Sequence, residues 1–139
     1  MEILKCKVKI AVLWVAMAVL ISAHSLLAAM EPGLLDEMAS EMETAGAGMW
    51  VFLACFWLLP LWLAFLSIAL KDTANRWMNI VLGIIFTILN IVHFFECGVP
   101  LIEGGMPEPT AHHILIVGST VVATALIAWY AWKWPKQEA

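Results

Sequence analysis

Four long stretches without a fixed charge decide what this chain can fold into. A helix needs about 20 apolar residues to cross a hydrocarbon core of roughly 30 Å. Ile10–Met30, Met49–Leu70, Trp77–Phe95 and His112–Trp132 each supply that length. Inside a bilayer every backbone N–H and C=O must be satisfied within the protein, so such stretches are helices. Composition agrees. Of 139 residues, 63% are hydrophobic and 13% charged, whereas a soluble domain has ~45–50% apolar and about 25% charged residues. That much apolar surface has no place in a small soluble fold. The balance argues against a water-soluble enzyme, a disordered chain and a nucleic-acid binder. The predicted fold is all-α: an integral membrane four-helix bundle in which residues 1–139 form one membrane domain.

The charges orient the spans. Lys5, Lys7 and Lys9 precede the first span, Lys71 and Arg76 lie between the second and third, and Lys133 and Lys136 follow the fourth. The other two connections hold no Lys or Arg, but carry 8 of the 11 acidic residues. Basic residues stay on the cytoplasmic side, so both termini are expected in the cytoplasm of a multi-pass protein of the plasma membrane. Trp77, Trp129, Tyr130, Trp132 and Trp134 fall at the inner interface and Trp50 at the outer one, where aromatic rings anchor spans. Lysines, an apolar run and Ala28-Ala29 also have the outline of a cleaved signal peptide. The first run is long for that role, and a retained span is the expectation.

The first outer connection has its own pattern. Pro32 suits a helix start, and Leu34, Leu35, Met38, Met42 and Ala45 recur at helical spacing. A short amphipathic helix over about 34–44, lying on the outer interface, is expected. Six Gly and Pro residues between Gly98 and Pro109 predict an irregular second outer connection. The short inner link from Lys71 to Arg76 predicts an antiparallel hairpin of spans two and three. Pro60 is expected to kink span two. Cys6, Cys55 and Cys97 define no disulfide framework and read as buried free thiols.

Polar groups at membrane depth are costly and mark candidate sites. Asn79, Gly83, Phe86, Asn90, His93 and Cys97 follow at steps of three or four, so they share one face of span three. That face is expected inside the bundle, with Ile84, Leu89 and Ile91 toward lipid. Thr120, Thr124 and Ala128 form a ridge on span four, with His113 seven residues before Thr120; Ser22, His24 and Ser25 lie on span one. Asn90, His93, Glu96 and Thr120 are the candidate ligand-binding residues. His24, His93, Glu96 and His113 are the candidate metal ligands, because imidazole suits copper and zinc. His93 and Glu96, three apart, can face one point. No HExxH or CxxC pattern accompanies them. The depths of His24 and His93 do not match on straight helices ending at 30 and 95, so the histidines are expected apart, within helix–helix hydrogen bonds. His112 is expected to face interfacial water. No cofactor is expected, with Cu or Zn the exception should the imidazoles converge.

The runs K-D-T-A-N-R-W-M-N-I-V-L-G at 71–83, W-Y-A-W-K-W-P-K at 129–136 and K-I-A-V-L-W at 9–14 resemble a prokaryotic family of small four-span membrane proteins known only as a domain of unknown function. The overall layout is similar to that of DoxX-like membrane proteins. The resemblance implies a four-helix membrane fold, no established activity, and an acidic residue near the end of span three, which Glu96 matches. Read from the residues alone, the inner motifs are anchors: Arg76 and Trp77 hold span three at the interface, Asn75 or Asp72 caps it, and Lys133 snorkels.

No phosphate loop, nucleophile elbow or basic patch is present. The expected function is a non-enzymatic bundle that binds a small apolar molecule or lipid near the outer leaflet. The alternatives are a metal-binding membrane enzyme or carrier using the outer His/Glu cluster, and an accessory subunit without a site of its own. The lipid bilayer is the expected partner, with a small apolar ligand, a homo-oligomer or a larger membrane complex beside it, and no nucleic acid.

Overall fold

The computed structural model describes residues 1–30, 33, 36, 39–40, 43, 46–103 and 111–135, with backbone only for 97–103, 111 and 112. Among the described residues there are four helices: α1 (Glu2–Ala29), α2 (Gly46–Ala69), α3 (Asp72–Glu103) and α4 (Ala111–Trp132). Each is long and apolar enough to cross a membrane, which makes the chain an all-α polytopic membrane protein.

Two helix ends depart from the sequence expectation. α1 begins at Glu2, so the lysine-bearing segment is helical as well. α3 continues to Glu103, through Gly98 and Pro100, where irregular chain was expected. Proline removes only one backbone donor, so a helix can run through Pro100 at the loss of a single hydrogen bond. Val99, Leu101 and Ile102 keep that extension apolar. α2 likewise runs unbroken through Pro60, which is buried. The amphipathic helix expected over 34–44 lies largely outside the described residues.

α1 packs along both α2 and α4, and α4 along α3, while α2 and α3 barely meet. The second and third spans have the tight turn expected of an antiparallel hairpin, joined there by Ser67, Asn75 and Asn79, but the helices diverge beyond it. The indole of Trp14, fully buried, crosses the bundle from α1 to Asn79 and sets its ring edge-on to Phe86, centroids 5.4 Å apart. Helix α3 closes instead on α4. A Cβ placed on Gly83 would lie 2.9 Å from the Ala128 backbone nitrogen, so only glycine permits this approach of two backbones. Val51, Phe52, Leu58, Leu61, Trp62 and Phe65 leave α2 with a broad exposed apolar face, suited to hydrocarbon. Cys55 is on that exposed surface, unlike the buried thiol expected; Cys6 is buried. The side chain of Cys97 lies outside the described residues.

At the end that carries both termini, a buried polar hub joins three helices. Asn79 Oδ1 accepts from Trp14 Nε1 at 2.7 Å and from Ser67 Oγ at 3.1 Å. Its amide nitrogen donates to the Asn75 side-chain oxygen at 2.6 Å, and the Asn75 amide donates to the Ser67 carbonyl. Asn75 is thus inside the hub, not a helix cap. Lys7 ties α1 to the α2–α3 turn, donating to the Leu70 carbonyl at 2.9 Å and pairing with Asp72 at 2.8 Å. At the same end Lys133 lies 4.5 Å from the ring centroid of Trp129 and Arg76 lies 6.0 Å from that of Trp77, and both rings are exposed.

Candidate functional site

The opposite half of the bundle holds the candidate residues. The inward face of α3 continues past Asn79 through Gly83 and Phe86 to Asn90 and His93, one step per turn. Asn90 donates across the α3–α4 seam to Thr124 Oγ1 at 3.4 Å. Ile84, Leu89 and Ile91 are exposed on the other side of α3. The hydroxyls mostly turn back on their own helices: Ser25 donates to the Ile21 carbonyl, Thr120 to that of Val117 and Thr124 to that of Thr120. These hydroxyls spend their protons locally, and Thr124 bridges to α3 only as an acceptor from Asn90.

Because α2 and α3 diverge, this half of the bundle is not filled. A cavity of about 330 Å3 lies between all four helices. Ile21, Leu53, Phe56, Trp57, Ile116 and Val117 give it an apolar wall, and His24, Ser25, Asn90, His93 and Thr120 give it one polar side. Ser25, Leu53 and Trp57 also border a wider open groove of about 1430 Å3 that reaches Trp50 and the described positions Asp36 and Glu43. The cavity thus continues toward the far end of the bundle.

Three of the four histidines gather. The Nε2 atoms of His24 and His93 are 3.4 Å apart, and their ring planes cross at 90°. His113, buried at the start of α4, sets its ring edge-on to His24 with centroids 4.6 Å apart. The expectation that the imidazoles would be scattered is therefore corrected. The depth mismatch assumed that α3 ends at 95. α3 instead continues to Glu103, so positions 30 and 95 are not a common depth reference, and the packing of the helices sets His24 and His93 side by side. Glu96 approaches His93 from the other side, Oε2 to Nδ1 3.6 Å, and both side chains stay exposed. Among the described residues, no group of three or more His, Cys, Asp or Glu side chains is placed to hold a metal ion. The side chain of His112 lies outside the described residues.

Of the ligand-binding candidates, Asn90, His93 and Thr120 share the cavity, and Glu96 sits beyond it on His93. Of the metal candidates, His24 and His93 share it, while His113 backs His24. Sequence reasoning missed Leu53, Phe56, Trp57 and Val117, because apolar positions on spans two and four carry no mark of which neighbours they face. The Asn75–Ser67 link was legible in principle: a serine and an asparagine flank a tight turn eight residues apart.

The architecture defines a class: a four-helix membrane protein with a mixed polar and apolar cavity in one half. Comparison with family models, curated proteins and solved structures finds no match for the chain.

Proposed function

We propose that this protein is a non-enzymatic membrane binder of a small amphiphile, a lipid tail end or a comparable apolar molecule, held in the cavity between its four helices. The observation that carries this reading is the cavity itself, about 330 Å3 with an apolar wall and one polar side. Small-molecule pockets span roughly 300–1,000 Å3 and combine apolar linings with a few orienting polar groups. Asn90, His93 and Thr120 orient the polar end of the ligand; Phe56, Trp57 and Val117 hold its apolar part. The weak contact between α2 and α3 supports entry sideways from the bilayer, where an apolar ligand is concentrated. The charge distribution of the sequence puts the termini in the cytoplasm, so the cavity faces the outer leaflet of the plasma membrane. Motifs at 71–83 and 129–136 support kinship with the small four-span membrane proteins they resemble.

The test is lipid and small-molecule analysis of the full chain purified in mild detergent, beside Val117→Trp and Leu53→Trp, which fill the cavity from α4 and from α2. The unmodified protein is expected to retain a bound amphiphile and both variants to lose it with unchanged helicity. Equal retention by all three proteins would place the amphiphile elsewhere and overturn the reading.

A further inference from the structure

The polar side of the cavity has a second property that does not depend on the apolar ligand. We propose that His24 and His93 bind one divalent ion of the zinc or copper class, with the carboxylate of Glu96 as outer partner. Two imidazole nitrogens on a tetrahedral ion, each at about 2.0–2.1 Å, stand about 3.3–3.4 Å apart. The Nε2 atoms of His24 and His93 are separated by 3.4 Å. Their perpendicular planes let both nitrogens point at one ion without the rings colliding. Both side chains line the cavity, so an ion between them has open positions facing it, to be filled by water or by a polar ligand group.

Glu96 completes the argument. Its Oε2 is 3.6 Å from Nδ1 of His93, the ring nitrogen that points away from His24. At that distance the carboxylate is beyond direct hydrogen bonding, but it stands on the Nδ1 edge of the ring, where the outer partner of a histidine that binds metal through Nε2 sits. Glu96 is therefore an orienting group and not a ligand, a reassignment from the sequence expectation. His113, edge-on to the His24 ring at 4.6 Å between centroids, restricts how that ring can turn.

The experiment uses the full chain in detergent, stripped with chelator and freed of retained lipid, so that its outcome is independent of the amphiphile. Calorimetric titration with Zn2+ is expected to show one ion per chain. His24→Gln and His93→Gln should abolish that binding, and Glu96→Gln should weaken it by about 10–100-fold, with helical circular dichroism checking the fold. Electron paramagnetic resonance of the unmodified chain loaded with Cu2+ is expected to show two coupled imidazole nitrogens, which decides the matter even if a histidine variant does not fold. No stoichiometric Zn2+ uptake, unaltered affinity in both histidine variants, or a Cu2+ spectrum without imidazole coupling would overturn the proposal.

Discussion

Two asparagines eleven residues apart on α3 show how much the same side chain can differ in consequence. Asn79 is fully buried, accepts from Trp14 and Ser67, and donates to Asn75. Asn90 is half-buried at the cavity wall and makes one long bond, 3.4 Å, to Thr124. Hydrogen bonds between membrane helices average about 0.6 kcal/mol, because the unfolded chain in lipid also finds partners. Leaving a buried partner unsatisfied costs more, about 1–3 kcal/mol. Asn79→Leu strands the indole N–H and the Asn75 side-chain oxygen, while the Ser67 hydroxyl keeps the Leu63 carbonyl at 2.7 Å, so it should destabilise by about 1–3 kcal/mol. Asn90→Leu should cost about 0.6 kcal/mol or less. Thermal unfolding in a fixed detergent measures both. Equal losses would show that the hub is no more than a sum of ordinary contacts. The stripe that contains both residues was legible from helical spacing. Their unequal weight was not, because Trp14 and Ser67 come from other helices.

At the level of elements, the α3–α4 pair is the closest-fitted seam and the α2–α3 pair the loosest between helices consecutive in the chain. Gly83 lies against the Ala128 backbone, and a methyl group there would meet Ala128 N, Cα and Cβ at 2.9–3.1 Å. Backbone cannot swing aside as a side chain can, so the helices must separate. Gly83→Ala should therefore cost about 1–3 kcal/mol, despite the higher helix propensity of alanine. Gly118 is the control on the partner helix: its nearest neighbour would be a Phe94 ring atom at 3.5 Å, an ordinary contact. Gly118→Ala should be neutral or stabilising in the same unfolding assay. A Gly83→Ala variant as stable as the parent would show that α3 and α4 pack with more slack than the structure has. The looseness of α2–α3 has a sequence cause only in hindsight: one large indole, Trp14, occupies the centre, while α2 presents most of its bulk outward.

For the whole molecule, the distribution of charge along the chain sets how it is threaded through the bilayer. All basic residues fall before the first span, between the second and third or after the fourth, and the other two connections hold eight acids and no base. Single cysteines in a background without Cys6, Cys55 and Cys97 should therefore react with an impermeant maleimide in intact cells at positions 43 and 103. A cysteine at position 71 should react only after permeabilisation. Labelling of position 71 from outside would invert the map and put the cavity in the inner leaflet. With the map as drawn, the polar hub and the Lys7–Asp72 pair stabilise the cytoplasmic half. The outer half is left with the space that a ligand needs.

The number and helical nature of the spans were determined by the sequence alone, because in hydrocarbon a backbone has no other way to satisfy its hydrogen bonds. The inward stripe on α3 followed from the same physics, since lipid solvates neither Asn79 nor Asn90. Which helices touch was decided only by tertiary packing: an apolar residue such as Val117 or Leu53 is equally content against lipid or protein, and its spacing does not distinguish them. The meeting of His24, His93 and His113 was also hidden. It depends on how α1, α3 and α4 are set along one another, which spacing within a single helix does not record.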